Sequence, residues 1–147
     1  MTSKTSQLDN LFEAQKAAFV RNIMPSAQER IDNLNSLEQA IIKHKDKLIS
    51  AVNSDFGCRC PDETLLAEII PTVEAVRYIK KRVKKWMKPS YRTTGMLFQP
   101  AKSMLIYQPL GVVGVITPWN YPIYLAMGPL AGALGAGNRV MIRMSKN

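Results

Sequence analysis

One asparagine in an apolar setting is the residue of this sequence best suited to chemistry. Asn120 lies in the segment Pro-Trp-Asn-Tyr-Pro at residues 118–122, directly after an apolar run at residues 111–117. A side-chain amide offers two N–H donors and does not titrate, so it can polarise a carbonyl and stabilise the oxyanion formed when a nucleophile attacks. The residues alone leave a second interpretation open, in which Asn120 only caps the helix that follows.

The other reactive side chains form no recognisable catalytic or metal site. The single histidine, His44, lies on the apolar stripe of a predicted helix, where no partner is present to orient the imidazole. Cys58 and Cys60 are one residue apart and have no second cysteine pair, so they cannot complete a four-ligand zinc site. A disulfide between them would be strained. Two free thiols in a reducing cytoplasm are the simpler interpretation.

Charge is distributed very unevenly along the chain. All eleven Asp and Glu residues lie in residues 1–74, whereas residues 75–147 carry twelve Lys and Arg and no carboxylate. The basic stretch at residues 80–88 suggests an anionic partner, but its apolar residues have the spacing of a helix that packs on a core. Trp86 alone offers little aromatic surface for base stacking. We therefore expect no nucleic acid and no membrane partner, with a basic membrane- or nucleic-acid-binding protein as an alternative.

An uncharged stretch at residues 103–138 exceeds the roughly 20 residues that span a bilayer. Its prolines and glycines argue against one continuous helix, and a β-branched run followed by an abrupt turn is typical of a strand end. The polar N-terminus lacks the apolar region of a secretory signal. These features predict a cytoplasmic protein.

Helices are predicted for most of the first ninety residues. Apolar spacing predicts a first helix that ends before Pro25. Ser26 and Ser36 are each followed three residues later by Glu or Gln, which predicts two capping boxes and two helix starts. Residues 53–61 predict a loop that ends at a helix-starting proline. Pro71 predicts a kink or a fresh helix start, because its ring clashes one turn back.

Strands are predicted only after residue 90. Residues 96–99 and 104–108 predict the two strands of a β-hairpin. The apolar run at residues 111–117 predicts a strand buried on both faces of a parallel sheet. A small-residue helix to about residue 135 and a strand at residues 139–143 complete one βαβ unit. The fold class predicted from these elements is α/β.

Several motifs resemble the aldehyde dehydrogenase superfamily. The stretch at residues 108–122, Gln-Pro-Leu-Gly-Val-Val-Gly-Val-Ile-Thr-Pro-Trp-Asn-Tyr-Pro, carries the resemblance most specifically. Residues 138–142, Asn-Arg-Val-Met-Ile, are most similar to the coniferyl-aldehyde dehydrogenase branch. Further matches extend the resemblance to essentially the whole chain: Gly128-Pro129-Leu130, Ala136-Gly137-Asn138, Asp55-Phe56-Gly57, Glu63-Thr64 with Glu68, and Lys84-Lys85-Trp86.

The resemblance implies a fold in three parts. Residues 1–90 would be the helical part of the cofactor domain, and residues 109–147 the first βαβ unit of its Rossmann-like dinucleotide-binding fold. Residues 91–108 would be a β-hairpin arm through which members assemble into homo-oligomers.

The resemblance also implies NAD- or NADP-dependent oxidation of an aldehyde, in the coniferyl branch an aromatic one, to a carboxylic acid. A thiolate attacks the aldehyde, hydride passes to the nicotinamide, and the thioester is hydrolysed. Asn120 matches the family's oxyanion asparagine. The residues that match the strand end lining the nucleotide site are Ile116, Thr117, Pro118 and Trp119.

The sequence departs from the family where the adenosine ribose is normally held. The family has lysine, one intervening residue, serine or alanine, and glutamate there, whereas this chain has Arg143, Ser145 and Lys146. Arginine and lysine differ in geometry. Lys146 reverses the charge of the residue that would accept the ribose hydroxyls, which could suit a 2′-phosphate. The choice between NAD and NADP stays open.

The family's nucleophilic cysteine and general-base glutamate have no counterpart in residues 1–147. Neither Cys58 nor Cys60 matches the nucleophile's place. We therefore expect residues 1–147 alone to lack dehydrogenase activity, and to be marginally stable or self-associating because two parallel strands leave an edge uncovered. A non-catalytic assembly or interaction module derived from such an enzyme is the alternative.

Overall fold

The computed structural model describes residues 2–146, with side chains for residues 6–146. The order of elements confirms the α/β class. The helices are α1 (Thr2–Arg21), α2 (Ala27–Phe56), α3 (Pro61–Thr64), α4 (Ile70–Trp86) and α5 (Pro122–Ala136), and the π-helical segment Leu65–Ile69 joins α3 to α4. The strands are β1 (Ser90–Arg92), β2 (Ser103–Leu105), β3 (Val112–Ile116) and β4 (Arg139–Arg143).

A capping box at Ser26 starts α2, as predicted. The Glu29 amide donates to Ser26 Oγ at 3.2 Å, and the Ser26 amide donates to Glu29 Oε2 at 2.7 Å. The prediction of a second helix start at Ser36 is wrong, because α2 is continuous through that position. The Ser36 hydroxyl instead donates to the Asp32 carbonyl at 3.0 Å, one turn back.

The predicted loop at residues 53–61 is shorter than expected. Helix α2 continues to Phe56 and ends at Gly57, which adopts a left-handed conformation with φ of 75°. The Gly57 amide donates to the Asn53 carbonyl, and this local bond satisfies one of the free carbonyls at the helix end. Pro61 then starts α3, as the sequence predicts.

The predicted interruption near Pro71 is confirmed. The wider turn of the π-helical segment Leu65–Ile69 precedes Pro71, which lies in the first turn of α4. The Ile70 amide donates to the Leu65 carbonyl, five residues back, and this wider turn accommodates a residue that has no amide donor.

The antiparallel strand pair lies in a different place from the predicted hairpin. Residues 96–98 form a 3-10 turn, so the prediction of a strand at residues 96–99 is wrong. The amides of Phe98 and Gln99 bond to carbonyls three residues back, which removes them from any ladder. Strand β1 pairs instead with β2, from Ser90 opposite Leu105 to Arg92 opposite Ser103. The second strand is also shorter than predicted.

Strands β3 and β4 pair in parallel, and α5 connects them. The register runs from Val112 opposite Arg139 to Ile116 opposite Arg143. The expectation of a strand buried on both faces is wrong for the described residues, since Val115 is buried but Ile116 is 81% exposed. Helices α1 and α5 both contact the two strands, but a two-stranded sheet leaves much of its surface uncovered.

The hydrophobic core lies between α2, α4 and α5. One cluster includes Ile41, Val73 and Ile123, and a second includes Leu34 and Ala131. Helix α5 contributes to both clusters, so the helical part and the strand–helix–strand part share one core. The core therefore fixes α5 relative to the helices that precede it.

A buried arginine holds the C-terminal end of α5. Arg30 Nη1 donates to the carbonyls of Gly135 at 3.3 Å and Ala136 at 2.8 Å, and Nε donates to the Pro25 carbonyl at 2.9 Å. Burial lowers the pKa of Arg30. A Cβ on Gly137, whose φ is 88°, would lie 2.8 Å from the guanidinium carbon. The helix end therefore requires glycine both for its conformation and for the arginine.

Part of the basic charge of α4 is neutralised by α2. Arg77 and Lys80 both donate to the carboxylate of Glu38. The hydrogen bonds from Lys80 and Arg77 lower the pKa of Glu38 despite its burial. Lys81, Lys84, Lys85 and Lys88 are not buried by such contacts and remain exposed.

We expect two glycines of α5 to respond oppositely to alanine. A Cβ at Gly135 would lie 2.5 Å from Ile79 Cγ2, so Gly135→Ala should destabilise the fold by about 1–3 kcal/mol. A Cβ at Gly132 would meet nothing within 4 Å, so Gly132→Ala should stabilise by about 0.5–1 kcal/mol. Urea unfolding followed by circular dichroism measures both, and equal effects would contradict this packing.

Candidate active site

The loop between β3 and α5 leaves the sheet at the carboxyl end of β3. The Thr117 amide donates to the Arg143 carbonyl at 2.9 Å, which extends the strand pairing by one step. Thr117 is buried, and its hydroxyl has no hydrogen-bond partner within residues 6–146. Pro118, Trp119 and Asn120 then form an exposed turn before α5 begins.

The N-terminal end of α5 is capped by a residue from another helix. Glu68, in the π-helical segment, is 0% exposed, and its Oε2 accepts from the amides of Ile123 at 2.7 Å and Tyr124 at 3.2 Å. Tyr121, the residue at the N-cap position, makes no side-chain cap. A carboxylate at this end satisfies first-turn donors and interacts favourably with the helix dipole.

Arg59 joins this cap to the turn that carries Asn120. The buried Arg59 guanidinium has Nη1 3.6 Å from Glu68 Oε1, and the same nitrogen donates to the Asn120 main-chain carbonyl at 2.7 Å. Its Nη2 donates to Glu63 Oε1 at 3.1 Å. A single side chain therefore contacts both carboxylates and the backbone of the turn.

Aromatic rings enclose the same guanidinium. The Arg59 guanidinium carbon lies 4.8 Å from the ring centre of Phe56 and 4.3 Å from that of Tyr121. The Phe56 ring also contacts Trp119, with ring centres 6.3 Å apart. Cation–π contacts of a desolvated arginine add to its hydrogen bonds, so the rings restrict its orientation. We call Phe56, Arg59, Glu63, Glu68 and Tyr121 the Arg59 cluster.

The side chain of Asn120 is available for a ligand. Asn120 is exposed, and its side-chain amide makes no hydrogen bond within the described part of the chain. Because Glu68 caps α5, Asn120 does not have the capping role that the sequence left open. A cavity of about 330 Å³ adjoins Asn120, and its lining includes Cys58, Glu63 and Tyr121. The amide can therefore donate to a carbonyl group in this cavity.

A second cavity lies at the carboxyl ends of β3 and β4. It has a volume of about 510 Å³, and its lining includes Asp55, Trp119, Met144 and Ser145. Ligands of open parallel sheets bind beyond the carboxyl ends of the strands, and this volume lies in the range of small-molecule sites. Of the predicted nucleotide-site residues, Trp119 and Ser145 line the cavity.

The other predicted nucleotide-site residues lie around this cavity or away from it. Ile116 and Arg143 are paired in register at the strand ends, and both are exposed. Pro118 and Lys146 are exposed outside the cavity lining, while Thr117 is buried beneath the turn. Arg143 and Lys146 place two positive charges at this edge of the sheet, which fits the phosphates of a dinucleotide.

The first turn of α5 is unsuited to bind phosphate. In many βαβ units the helix N-terminus binds the pyrophosphate of a dinucleotide through free amides. Here the amides of Ile123 and Tyr124 already donate to the Glu68 carboxylate. A second anion at this place would be repelled, so the phosphates of a cofactor need other donors. The glycine pattern at residues 132–137 lies at the opposite end of the helix.

Arg59 and Glu68 lie in the candidate site, where the sequence did not predict them. Glu68 is one position of the family resemblance, and Arg59 lies between two cysteines. A signal was present for Glu68, because it is a single carboxylate within the apolar run Leu65-Leu66-Ala67-Glu68-Ile69-Ile70. Ionisable residues on a buried helix face are almost always paired.

The described residues contain neither a metal-binding group of side chains nor a helix that could cross a membrane. No group of three or more His, Cys, Asp or Glu side chains is placed to hold a metal ion, and Cys58 and Cys60 are both free thiols. Among the same residues, none of the helices has the length and apolar character needed to cross a membrane.

Comparison with known proteins identifies similar sequences and structures. A model of the Aldehyde dehydrogenase family matches residues 1–147. A probable coniferyl aldehyde dehydrogenase of Pseudomonas aeruginosa is 54% identical over 142 residues, covering 97% of this chain and 30% of the relative. A coniferyl aldehyde dehydrogenase of a Pseudomonas species is 36% identical over 140 residues, covering 95% of this chain and 29% of the relative.

The solved structures include one close in fold. The substrate-bound state of Staphylococcus aureus AldH superposes with a TM-score of 0.90 at 29% identity, covering 95% of this chain and 30% of that one. The chain thus spans about 30% of the length of these relatives.

We expect removal of the Glu68 carboxylate to destabilise the fold strongly. Glu68→Ala leaves two buried amides without an acceptor and removes one of the two carboxylates that pair with the buried Arg59, which should cost about 3–5 kcal/mol. Glu74→Ala, an exposed glutamate of α4, is the matched control and should leave the urea midpoint nearly unchanged. Similar midpoints for the two variants would show that Glu68 does not hold α5.

Proposed function

Because this chain belongs to the aldehyde dehydrogenase family, we propose that it forms the N-terminal part of an NAD(P)-dependent enzyme that oxidises an aldehyde to a carboxylic acid. The observation that carries the proposal is the position of Asn120. Its carbonyl is bonded to Arg59, while its side-chain amide is exposed at a cavity beyond the carboxyl end of β3.

Asn120 would stabilise the oxyanion of the reaction. When a thiolate adds to an aldehyde, negative charge develops on the carbonyl oxygen. A neutral amide N–H directed at that oxygen lowers the barrier and does not take up or release a proton itself. The thiolate and the general base would come from outside residues 1–147, since the family positions of both have no counterpart here.

The cavity at the strand ends would hold part of NAD or NADP. Residues 109–147 would then be the first βαβ unit of a Rossmann-like cofactor domain, and residues 1–90 its helical part. Trp119 and Ser145 line the cavity, and Arg143 and Lys146 add positive charge beside it. The nicotinamide, when bound, supplies the hydride acceptor. The positive charges of Arg143 and Lys146 would suit a 2′-phosphate, so NADP is as well supported as NAD.

The substrate would be an aromatic aldehyde of the coniferyl type. Support for this class comes from the names of the relatives, of which one is 54% identical over nearly the whole chain. The cavity beside Asn120 includes the rings of Phe56, Trp119 and Tyr121 in its lining, which is a suitable surface for an aromatic ligand.

Residues 91–108 would form a contact between copies of the enzyme. The side chains of Met96, Leu97 and Phe98 project from the 3-10 turn, and Leu97 is 96% exposed. Exposed apolar patches of this kind mark interaction sites. A homo-oligomer that buries this segment is the assembly we propose.

Kinetic assays test the role of Asn120. The protein to use is residues 1–147 joined to the downstream part of the 54% identical relative, with coniferyl aldehyde and NAD or NADP. Asn120→Ala should lower kcat by about 10²–10³-fold, the usual loss for one oxyanion donor. Asn10→Ala, at an exposed position of α1, is the matched control and should keep the parental kcat.

The 147-residue chain alone should not reduce the cofactor. An Asn120→Ala variant with unchanged kcat would overturn the assigned role. Absence of aldehyde oxidation in the joined protein with both cofactors and several aldehydes would overturn the proposed function.

A further inference from the structure

We propose that Arg59 is a positioning residue for catalysis, acting through Asn120. The inference rests on the proposed function and deepens it. It names a residue outside the loop of Asn120 as the one that orients the Asn120 side-chain amide. Arg59 would not contact the substrate's reacting carbon. It would hold the main chain from which the Asn120 side chain projects.

The first step is that Arg59 restrains the peptide of Asn120 itself. Nη1 donates to the Asn120 carbonyl at 2.7 Å, a short bond from a charged donor. The turn at residues 118–120 is exposed, and the hydrogen bond from Arg59 ties the Asn120 main chain to the core. Without it, the carbonyl of Asn120 is free to rotate toward solvent.

The second step is that the ion pair of Arg59 and Glu68 restrains both sides of the turn. Arg59 Nη1 lies 3.6 Å from Glu68 Oε1, while Glu68 Oε2 accepts from the amides of Ile123 and Tyr124. The carbonyl of residue 120 and the amides of residues 123 and 124 are therefore fixed to one buried unit. The main chain between them has little freedom to shift.

The third step concerns the geometry that the reaction requires. An oxyanion donor acts when it lies about 2.7–3.1 Å from the position of the developing charge. A misplacement of about 1 Å can lower the rate by about 100-fold, even when the misplaced group is not itself altered. An exposed loop residue needs an external restraint to keep such precision. Arg59 supplies that restraint from the protein interior.

Arginine is the side chain that this position requires. Its planar group reaches Glu68, Glu63 and the Asn120 carbonyl at the same time, and its faces contact the rings of Phe56 and Tyr121. Lysine keeps the positive charge but offers one compact ammonium without a planar fork. Arg59→Lys should therefore keep the Glu68 charge paired and lose the bond to Asn120.

The fold offers a matched control. Arg30 is also a buried arginine that donates to main-chain carbonyls of α5, but at Gly135 and Ala136, the end of the helix far from Asn120. Arg30→Lys removes the same kind of contact from the same helix. The Arg30→Lys variant therefore shows how a loss of stability alone changes kcat.

Steady-state kinetics on the joined protein provides the main test. Arg59→Lys should lower kcat by about 10–100-fold with the KM for the aldehyde changed by less than about 3-fold. Arg30→Lys should lower the thermal midpoint to a similar degree and keep kcat within about 2-fold of the parent. Adding Arg59→Lys to Asn120→Ala should produce no further loss, because residues that act through one group are not additive.

A second measurement does not depend on activity. In the 147-residue chain, the main-chain resonances of Asn120, observed by 13C- and 15N-edited NMR, should move in Arg59→Lys, because the carbonyl loses its hydrogen bond from Arg59. They should stay unchanged in Arg30→Lys. If the joined protein proves inactive, the proposed function fails, and these resonances still decide whether Arg59 positions Asn120.

The inference is overturned by parental kcat in Arg59→Lys, by equal kcat losses in Arg59→Lys and Arg30→Lys, or by losses that add to that of Asn120→Ala. Unchanged Asn120 resonances in Arg59→Lys would overturn it as well.

Discussion

Opposite charges buried at the two ends of α5 are the constraint on which this structure depends. The Glu68 carboxylate accepts from amides at the N-terminal end, and the Arg30 guanidinium donates to carbonyls at the C-terminal end. Each charge has the sign that the helix dipole favours at its end. Both come from helices that precede the strands in sequence. Helix α5 is therefore fixed along its axis by side chains as well as by its apolar core.

This arrangement determines what the neighbouring loop can do. Because Glu68 occupies the first-turn amides of α5, the helix start is neither a phosphate site nor in need of Asn120 as a cap. Arg59, paired with Glu68, bonds to the main chain of Asn120 and leaves the side chain exposed. A structural ion pair and an available amide thus meet at one turn of the chain, although they are far apart in sequence. The cavity beside Asn120 and the cavity at the strand ends meet at Phe56 and Trp119, which line both.

Local sequence signals predicted the elements that depend on local bonds. The capping box at Ser26 and the parallel pair of β3 and β4 follow from residue types over a few positions. The start predicted at Ser36 failed because an apolar stripe packed on α4 favours one continuous helix, and a serine hydroxyl is satisfied equally well by the preceding turn. The strand predicted at residues 96–99 failed because a local 3-10 turn uses its amides.

The candidate site was predictable only in part, for a similar reason. Asn120 is recognised by its chemistry and its place after an apolar strand. Arg59 and Glu68 act across sequence separations of more than fifty residues, so nothing near them in the sequence reveals their partners. Only the packing of α5 against the earlier helices brings these groups together.

Hydrogen exchange of the first-turn amides of α5 tests this account most directly. First-turn amides of a helix have no intrahelical acceptor and exchange rapidly unless another group binds them. The account predicts that Ile123 and Tyr124, capped by buried Glu68, exchange far more slowly than Glu29, whose amide is capped by exposed Ser26. Exchange of Ile123 and Tyr124 as fast as that of Glu29 would contradict it.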